Sequence, residues 1–169
     1  MKIIEALKQI KYLVKKAEDL QQKIGSNCAD MEFDQPLYSD MKLKISEWLQ
    51  AHTDVVREVQ RLRFRLQKTN VMTSLTIPLN DVSVTRTIFE WVQRRKDLAK
   101  LELDAWKKLT DRNLKDGQYQ QTSGQMGIMK MRRYYDPSEK ERKISMLTME
   151  PMLIDSALEI VNCTTDLLE

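Results

Sequence analysis

The sequence predicts a mainly α protein, an elongated helical bundle with a small extended or β-hairpin element that assembles as a homo-oligomer. Apolar residues recur at alternating steps of four and three over long stretches, which is the pattern of helices that pack along a seam. Of the 169 residues, 41% are hydrophobic and 31% are charged, while Gly and Pro number four each. This composition favours helices within a single helical domain over residues 1–169.

Two long helices are predicted from heptad seams, over about residues 2–24 and 40–69. The first seam is interrupted once, by Gln21, and the second helix has Ser39 or Asp40 as its candidate N-cap. At 1.5 Å per residue the second helix is about 45 Å long, comparable with the diameter of a compact chain of this size. We therefore expect copies of the chain to cover one another's seams, which predicts the homo-oligomer. The second seam comprises Ile45, Trp48, His52, Val55, Val59, Leu62 and Leu66.

Two segments are predicted to be extended. Residues 71–79 contain Thr, β-branched residues and Pro78, which disfavour a helix. In residues 128–135 apolar, basic and aromatic side chains are interleaved, and we expect this segment to pair with the first as a β-hairpin element. Between the two, the Gly-rich residues 116–127 predict a loop that acts as a lid.

Two further helices are predicted, over about residues 83–113 and 151–168. The last helix is placed after Pro151 because proline removes a hydrogen bond and clashes inside a helix. Asp136 followed by Pro137 has the pattern of a helix start, so a shorter helix or turn is expected there.

The sequence indicates a cytoplasmic protein without a membrane partner. No apolar stretch approaches the roughly eighteen residues that cross a bilayer, and the N-terminal residues lack the apolar core of a signal peptide. Cys28 and Cys163 lie far apart and His52 is the only histidine. These residues cannot build a disulfide framework or a metal site within one chain.

Charge is unevenly distributed, although the formal net charge is only +3. Residues 57–68 contain five basic residues and one acid, whereas residues 150–169 contain five acids and no base. We expect these two segments to lie near each other. The basic segment flanks an apolar seam and lacks a module that reads a nucleic-acid groove, so the pattern does not favour a nucleic-acid partner.

No catalytic centre is recognisable, which predicts that the protein is not an enzyme and needs no cofactor. The sequence has no nucleophile with an adjacent base, no paired carboxylates in an apolar setting and no Gly-rich phosphate motif. His52 lies on a helix seam. There a hydrogen-bonded histidine that fixes helix register is favoured over a general base.

Arg132 and Arg133 adjoin Tyr134 and Tyr135. Arginines donate bidentate hydrogen bonds to phosphate, and the neighbouring rings can stack on a base. The simpler interpretation is a half-buried strand whose arginines pair with the acidic C-terminal helix.

A second group of polar residues flanks the first extended segment. Asn70, Thr73, Thr85 and Arg86 lie at the two junctions between that segment and the helices around it. Taken singly, such residues cap helix ends. Taken together they form a pocket suited to a sugar-phosphate, especially between subunits.

Three stretches carry a family resemblance: RLQKTNVMTSL, which leaves a long helix, TRTIFEWV, which opens the next, and EPMLIDSALEIVNCTTDLLE at the C-terminus. They resemble the septicolysin-like family of small, functionally uncharacterised helical bacterial and phage proteins, over most of the chain. The resemblance implies a helical oligomer without established enzymatic activity, and it falls on Asn70, Thr73, Thr85 and Arg86.

The resulting hypothesis is a non-catalytic homo-oligomer that binds a small anionic nucleotide-type ligand. Arg86, Arg132 and Arg133 would bind phosphate, and Tyr134 or Tyr135 the base. The sugar would contact Asn70 and Thr73. In a phage such a protein would sequester a host nucleotide signal. The alternative is a structural scaffold or protein-interaction adaptor that has no small-molecule ligand.

Overall fold

The computed structural model describes residues 1–79, 82–115, 117–122, 125–129 and 131–169, with the two strands between 118 and 129 described by their backbone. The fold is mainly α with small β-hairpins, as the sequence predicts. In chain order the elements are α1 (Ile3–Asn27), α2 (Met41–Met72), β1 (Ser74–Leu79), β2 (Val82–Thr87), α3 (Ile88–Gln93), a π-helical turn (Arg94–Leu98), α4 (Ala99–Lys107), β3 (Gln118–Thr122), β4 (Gln125–Met129) and α5 (Pro137–Thr164). The described chain divides into two compact units, one of Met1–Ser74 with Leu158–Glu169 and one of Leu75–Ala157.

The core of the first unit lies where the seams of α1 and α2 meet. Leu13 of α1 is buried together with Val55, Val59 and Leu62 of α2. Further apolar residues of α1 pack around this cluster, namely Ile10, Val14, Ala17 and Leu20. Each seam therefore covers the other within one chain. The expectation that only another copy could cover the seam of α2 is wrong, because α1 is long enough to lie along it.

The polar residues that interrupt the two seams bind each other. The side-chain amide nitrogen of Gln21 lies 3.0 Å from Nε2 of His52. This contact confirms the prediction of a hydrogen-bonded histidine on the seam. A single polar pair between two apolar stripes favours one register, because any other register would leave both groups opposite apolar side chains.

The C-terminal residues lie along the first unit and connect its helices. The backbone N–H groups of Ile3 and Leu167 donate to the carbonyls of Thr165 and Met1, at 3.0 and 2.8 Å. On α2, Nε of Arg65 donates to the carbonyl of Leu168 at 3.0 Å. Lys68 likewise binds the main-chain oxygen of Glu169. The predicted proximity of the basic and acidic segments is confirmed here, but the acceptors are main-chain oxygens and not acidic side chains.

The second unit begins with a hairpin that the sequence analysis placed wrongly. β1 pairs with β2 in a two-stranded sheet, and not with residues 128–135. Residues 83–87, predicted as the start of a helix, belong to strand β2 because β-branched residues dominate this segment. The helix begins at Ile88 instead, where Thr87 and Glu90 form a capping box: the Thr87 hydroxyl accepts from the Glu90 N–H, and the Glu90 carboxylate accepts from the Thr87 N–H.

Trp91 connects this helix to the hairpin. Its side chain is fully buried, and its indole N–H donates to the carbonyl of Leu75 at 2.8 Å. The helix then passes through the π-helical turn and ends at Lys107, six residues before the predicted end at 113. The polar residues that follow favour a turn over a further helical turn.

A second antiparallel hairpin occupies part of the predicted loop 116–127. β3 and β4 pair from Gln118 opposite Met129 to Thr122 opposite Gln125. Residues 116, 123 and 124 of the predicted lid lie outside the described residues. In the predicted extended segment 128–135, the strand ends at Met129, and residues 131–135 are irregular. Ser-Gly between two short runs is a hairpin signal that the loop prediction did not use.

α5 begins at Pro137 and continues through Pro151, so the prediction that the last helix begins at Pro151 is wrong. Asp136 caps its start by accepting from the N–H of Ser138 at 2.8 Å, as the sequence predicts. Proline removes the hydrogen bond to the carbonyl four residues earlier, and tertiary contacts hold the helix on both sides of this gap. Those contacts come from the arginines of the π-helical turn.

Arg94 and Arg95 form bidentate pairs with residues on either side of Pro151. Arg94 donates to Glu150 at 2.7 and 2.9 Å and also contacts Glu102 at 2.6 Å. Arg95 donates to Asp155 at 2.7 and 3.0 Å. Glu150 is only 5% exposed. The pKa of the Arg94 guanidinium is raised, chiefly by its hydrogen bonds to Glu150, so Arg94 stays protonated.

Breaking the Arg94–Glu150 pair tests its part in holding α5. Glu150→Met should lower the free energy of unfolding by about 3 kcal/mol, because it leaves a half-buried guanidinium with a single, exposed partner. Adding Arg94→Met should recover most of that loss, since the uncompensated charge is removed as well. Urea denaturation of both variants measures the two values. A double variant as unstable as Glu150→Met would contradict this account.

The Gln21–His52 contact makes a separate prediction. Gln21→Leu/His52→Leu should raise the free energy of unfolding by about 1 kcal/mol, because two apolar side chains replace a polar pair on the seam. Thermal and urea denaturation measure the change. A loss of stability would show that the polar pair contributes more than apolar packing would.

Candidate functional site

Four of the eight predicted site residues lie together in the second unit. They line a cavity of about 170 Å³ with the segment that follows α4. The residues around this cavity are Thr110, Asp111, Arg112, Leu114, Met131, Arg132, Arg133, Tyr134 and Tyr135. We call it the arginine cavity.

A tight turn forms one wall of the arginine cavity. The N–H of Leu114 donates to the carbonyl of Asp111 at 2.9 Å, which closes the turn. Arg112 and Asn113 within it have φ values of 54° and 61°, in the left-handed region. Asn accepts this conformation more readily than Arg, because its short polar side chain can hydrogen-bond to the nearby backbone. Backbone strain of this kind is frequent where a site needs a particular geometry.

Asp111 is the electrostatic centre of the cavity. Its two carboxylate oxygens accept from Arg133 at 2.8 and 2.7 Å, and one also accepts from the Tyr135 hydroxyl at 2.9 Å. These donors, Arg133 first and Tyr135 second, lower the pKa of Asp111 to about 2. The same hydrogen bond raises the pKa of Tyr135, because the ionised phenol would face a carboxylate.

Arg133 is therefore held in place by an acid, as the simpler interpretation of residues 132–135 expected. The acid is not the one that this interpretation named. The partner is Asp111, which precedes Arg133 by 22 residues, and not a residue of the acidic C-terminal helix. The guanidinium is fixed against the cavity wall by this bidentate contact.

Arg112, Arg132 and Tyr134 present their side chains to solvent at the cavity. Tyr134 is 88% exposed. The guanidinium groups of Arg112 and Arg132 form no hydrogen bond or ion pair with the described residues. Their donors are thus available to an anion, and the Tyr134 ring is available for stacking.

The other four predicted residues lie elsewhere. In the second unit, the Thr85 hydroxyl shares a hydrogen bond of 2.7 Å with that of Thr76, and the Arg86 guanidinium lies 5.0 Å from the centre of the Trp91 ring. Asn70 and Thr73 belong to the end of α2 in the first unit.

Both residues at the end of α2 have defined surroundings. The Thr73 N–H donates to the carbonyl of Thr69 at 2.9 Å, which is the helix-capping role expected for it singly. The Oδ1 atom of Asn70 is buried and accepts no hydrogen bond from the described residues.

Sequence reasoning missed the contribution of Thr110, Asp111 and Arg112 because it placed them in the last turn of a helix. The available sequence signal for a turn there was Asp111 followed by Arg112 and Asn113, near the end of the predicted helix. Within the described part of the chain, no cluster of His, Cys, Asp or Glu could hold a metal ion, and every helix is too short or too polar to cross a bilayer.

The lowered pKa of Asp111 predicts a pH dependence of stability. Because its folded-state pKa, about 2, lies below the ordinary 3.8, its contribution is present above the ordinary value and is lost as pH falls through about 2. The difference in unfolding free energy between wild type and Asp111→Asn should be constant above about pH 5 and shrink between about pH 4 and pH 2. Urea denaturation across this range measures it.

A control sharpens this test. Tyr135→Phe removes one of the two donors to Asp111, so in that background the difference should be smaller and its decline should end at a higher pH than in the wild type. If the difference in unfolding free energy between wild type and Asp111→Asn stayed constant down to pH 2, the assigned role of Asp111 would be contradicted.

Comparison with known proteins gives the fold and no family. No protein-family model matches the chain, and no curated protein matches it. A solved structure is similar over 99% of this chain and 99% of its own, with a TM-score of 0.58 and 19% identity. It is described as the crystal structure of a functionally unknown conserved protein from Corynebacterium diphtheriae. At that identity the likeness shows that the two proteins share a fold.

Proposed function

We propose that the protein binds a small anionic ligand of nucleotide type in the arginine cavity and sequesters it without chemical change. The observation that supports this is the charge of the wall, where, among the described residues, three arginines stand against one aspartate. Asp111 is paired with Arg133, so the described wall retains an excess of positive charge. Such an excess of positive charge attracts a phosphate.

The size of the cavity determines which part of the ligand it holds. Pockets for whole drug-sized molecules have about 300–1,000 Å³, whereas this cavity has about 170 Å³. It suits a phosphate group and excludes a complete nucleotide. The base would lie outside against the exposed ring of Tyr134, where stacking contributes about 1–3 kcal/mol.

The arginines divide the binding between them. Arg133 is fixed by Asp111 and Tyr135, so its position costs little further entropy when an anion arrives. Arg112 and Arg132 supply the remaining donors, and bidentate geometry would let either one bind two phosphate oxygens.

The proposal includes no catalysis. Asp111 is the single acid among the described residues of the cavity wall, its oxygens already accept three hydrogen bonds, and its pKa near 2 keeps it ionised at neutral pH. A general acid or base works best with a pKa near the operating pH.

We also retain self-association in the proposal, together with the resemblance to the septicolysin-like family. That resemblance falls on Asn70, Thr73, Thr85 and Arg86, which do not line the arginine cavity. In an oligomer, these four residues of one copy could contact a ligand that is bound in the arginine cavity of another copy. Sequestration of a host nucleotide signal by a phage protein also stays a hypothesis.

The alternative, a scaffold or adaptor without a small-molecule ligand, is favoured by one specific observation. Arg133 and Tyr135 converge on Asp111, which joins the segments after α4 and before α5. In that interpretation the arginines only stabilise the fold.

Ligand binding distinguishes the two functions. Differential scanning fluorimetry with cyclic and ADP-ribose-derived nucleotides should raise Tm by roughly 5–10 °C at a hundredfold excess over Kd. Arg132→Glu should weaken binding at least tenfold, because it places a negative charge beside the phosphate. Lys100→Glu changes the charge equally at an exposed position on α4 and should bind as wild type does.

The outcomes are separable. No thermal shift at millimolar concentration across the panel would favour the scaffold. A shift that Arg132→Glu and Lys100→Glu leave equally intact would place the ligand elsewhere. Unmodified ligand recovered from heat-denatured complex supports sequestration, and altered ligand would overturn it.

A further inference from the structure

The connection between α1 and α2 exposes large apolar side chains. Met31 is 76% exposed and Phe33 97% exposed, and Leu37 is also exposed. The connection is nevertheless anchored to α2, since the ring of Tyr38 meets that of Trp48 edge-on with centroids 5.9 Å apart. Exposed apolar residues grouped in this way commonly mark a contact surface.

The same connection is strongly acidic. Residues 28–40, which we call the acidic loop, contain four acids and no Lys or Arg. Two of the acids have roles within the loop: Asp34 accepts from the N–H of Met31 at 3.1 Å, and Asp40 caps α2. Asp30 and Glu32 form no hydrogen bond or ion pair with the described residues. Their charges are therefore free to attract a basic surface.

A surface of complementary composition lies on α2. Leu49, Val56 and Phe64 are exposed and follow one another at steps of seven and eight residues, which places them on one side of the helix. Arg57 and Arg63 flank them. We call these five residues the basic face. They differ from the seam residues of α2 that α1 covers.

The arginines of the basic face are available for new partners. The ion pair of Arg57 is an exposed one with Asp54 at 3.6 Å, and such pairs contribute little stability. Arg63 has no ion pair among the described residues. Phe64 between them is 69% exposed.

Within one chain the acidic loop leaves most of the basic face unoccupied. Tyr38 of the loop reaches Trp48, next to Leu49, but Asp30 and Glu32 form no ion pair with Arg57 or Arg63 among the described residues. Phe64 follows Met41, the first residue of α2, by 23 residues, which is about 35 Å along a helix, and both Phe33 and Phe64 are exposed. The complementary charges of the two surfaces are therefore available to another molecule.

We propose that the acidic loop of one copy of this chain docks on the basic face of a second copy, and that the contact is reciprocal across a two-fold axis. Met31 and Phe33 then pack against Val56 and Phe64, while Asp30 and Glu32 face the arginines. Aromatic residues, Met and Arg are the types enriched in interfaces. A two-fold arrangement satisfies both loops at once and closes the assembly as an antiparallel dimer.

This inference rests on the self-association that we proposed above, and it identifies the acidic loop and the basic face as the surfaces in contact. It does not involve the arginine cavity, whose residues all belong to the other compact unit. Opposite charges orient the partners and exclude wrong ones, and burial of the apolar side chains supplies most of the affinity.

Charge reversal tests the proposal. Light scattering after size exclusion at micromolar concentration should give the wild type twice the mass of the 20.0 kDa chain. Asp30→Lys/Glu32→Lys and Arg57→Glu/Arg63→Glu should each raise the dimer Kd at least tenfold, because each places like charges at both contacts. An equimolar mixture of the two variants should dimerise as wild type does, since reversed loop then meets reversed face and native loop meets native face.

Matched controls carry the same charge changes on the exposed side of α1. Glu18→Lys/Asp19→Lys and Lys8→Glu/Lys11→Glu should leave the dimer Kd unchanged. A monomeric wild type, an unaffected reversal variant or a mixture that fails to dimerise would overturn the proposal. The nucleotide-induced thermal shift of each variant is measured in parallel, so failure of the dimer is distinguished from failure of ligand binding.

Discussion

The packing of α1 along the seam of α2 is the constraint on which the first unit depends. A 32-residue amphipathic helix has an apolar stripe that must be covered, and α1 covers it within the same chain through Leu13 and its neighbours. Length alone therefore gives no reason for a second subunit. The reason to expect a second subunit is that α1 leaves another side of α2 uncovered, where apolar residues are exposed. The far end of the basic face, at Phe64, lies about 35 Å along this helix from Met41, where the acidic loop ends.

In the second unit, a single carboxylate organises the candidate site. Asp111 draws together Arg133 and Tyr135, which fixes the irregular segment 131–135 against the turn at 111–114. Without an acid at this point, three arginines would repel one another around a small cavity. With it, one arginine is neutralised and positioned, and the remaining positive charge is left for a ligand. Structural and binding roles of the arginines are thus compatible.

Much of the fold was predictable because its signals are local. The heptad period identified α1 and α2, and Asp40 and Asp136 cap helices as their sequence context indicated. Strand β2 was missed because its residues were assigned to the predicted helix 83–113, although β-branched residues dominate the segment. The capping box of Thr87 and Glu90 was present in the sequence and would have corrected the helix start.

Other features could not be read from the sequence because they depend on distant residues. Pro151 lies inside α5 between Glu150 and Asp155, which bind Arg94 and Arg95 more than fifty residues earlier in the chain. For the candidate site, the RRYY segment was identified, but the partner of Arg133 was not. Nothing local connects that segment to Asp111, which lies on the far side of the β3–β4 hairpin in sequence.

Two of the exposed aromatic side chains, Tyr134 and Phe33, lie in opposite electrostatic surroundings, and this difference separates the proposed activities. Tyr134 adjoins Arg132 and Arg133, so the phosphate of a nucleotide is attracted to its surroundings. Phe33 lies between Glu32 and Asp34, which repel the same anion and favour a basic protein surface. Each aromatic side chain supplies apolar contact area, and the neighbouring charges select the partner. A nucleotide and a second copy of the chain therefore need not compete for one surface.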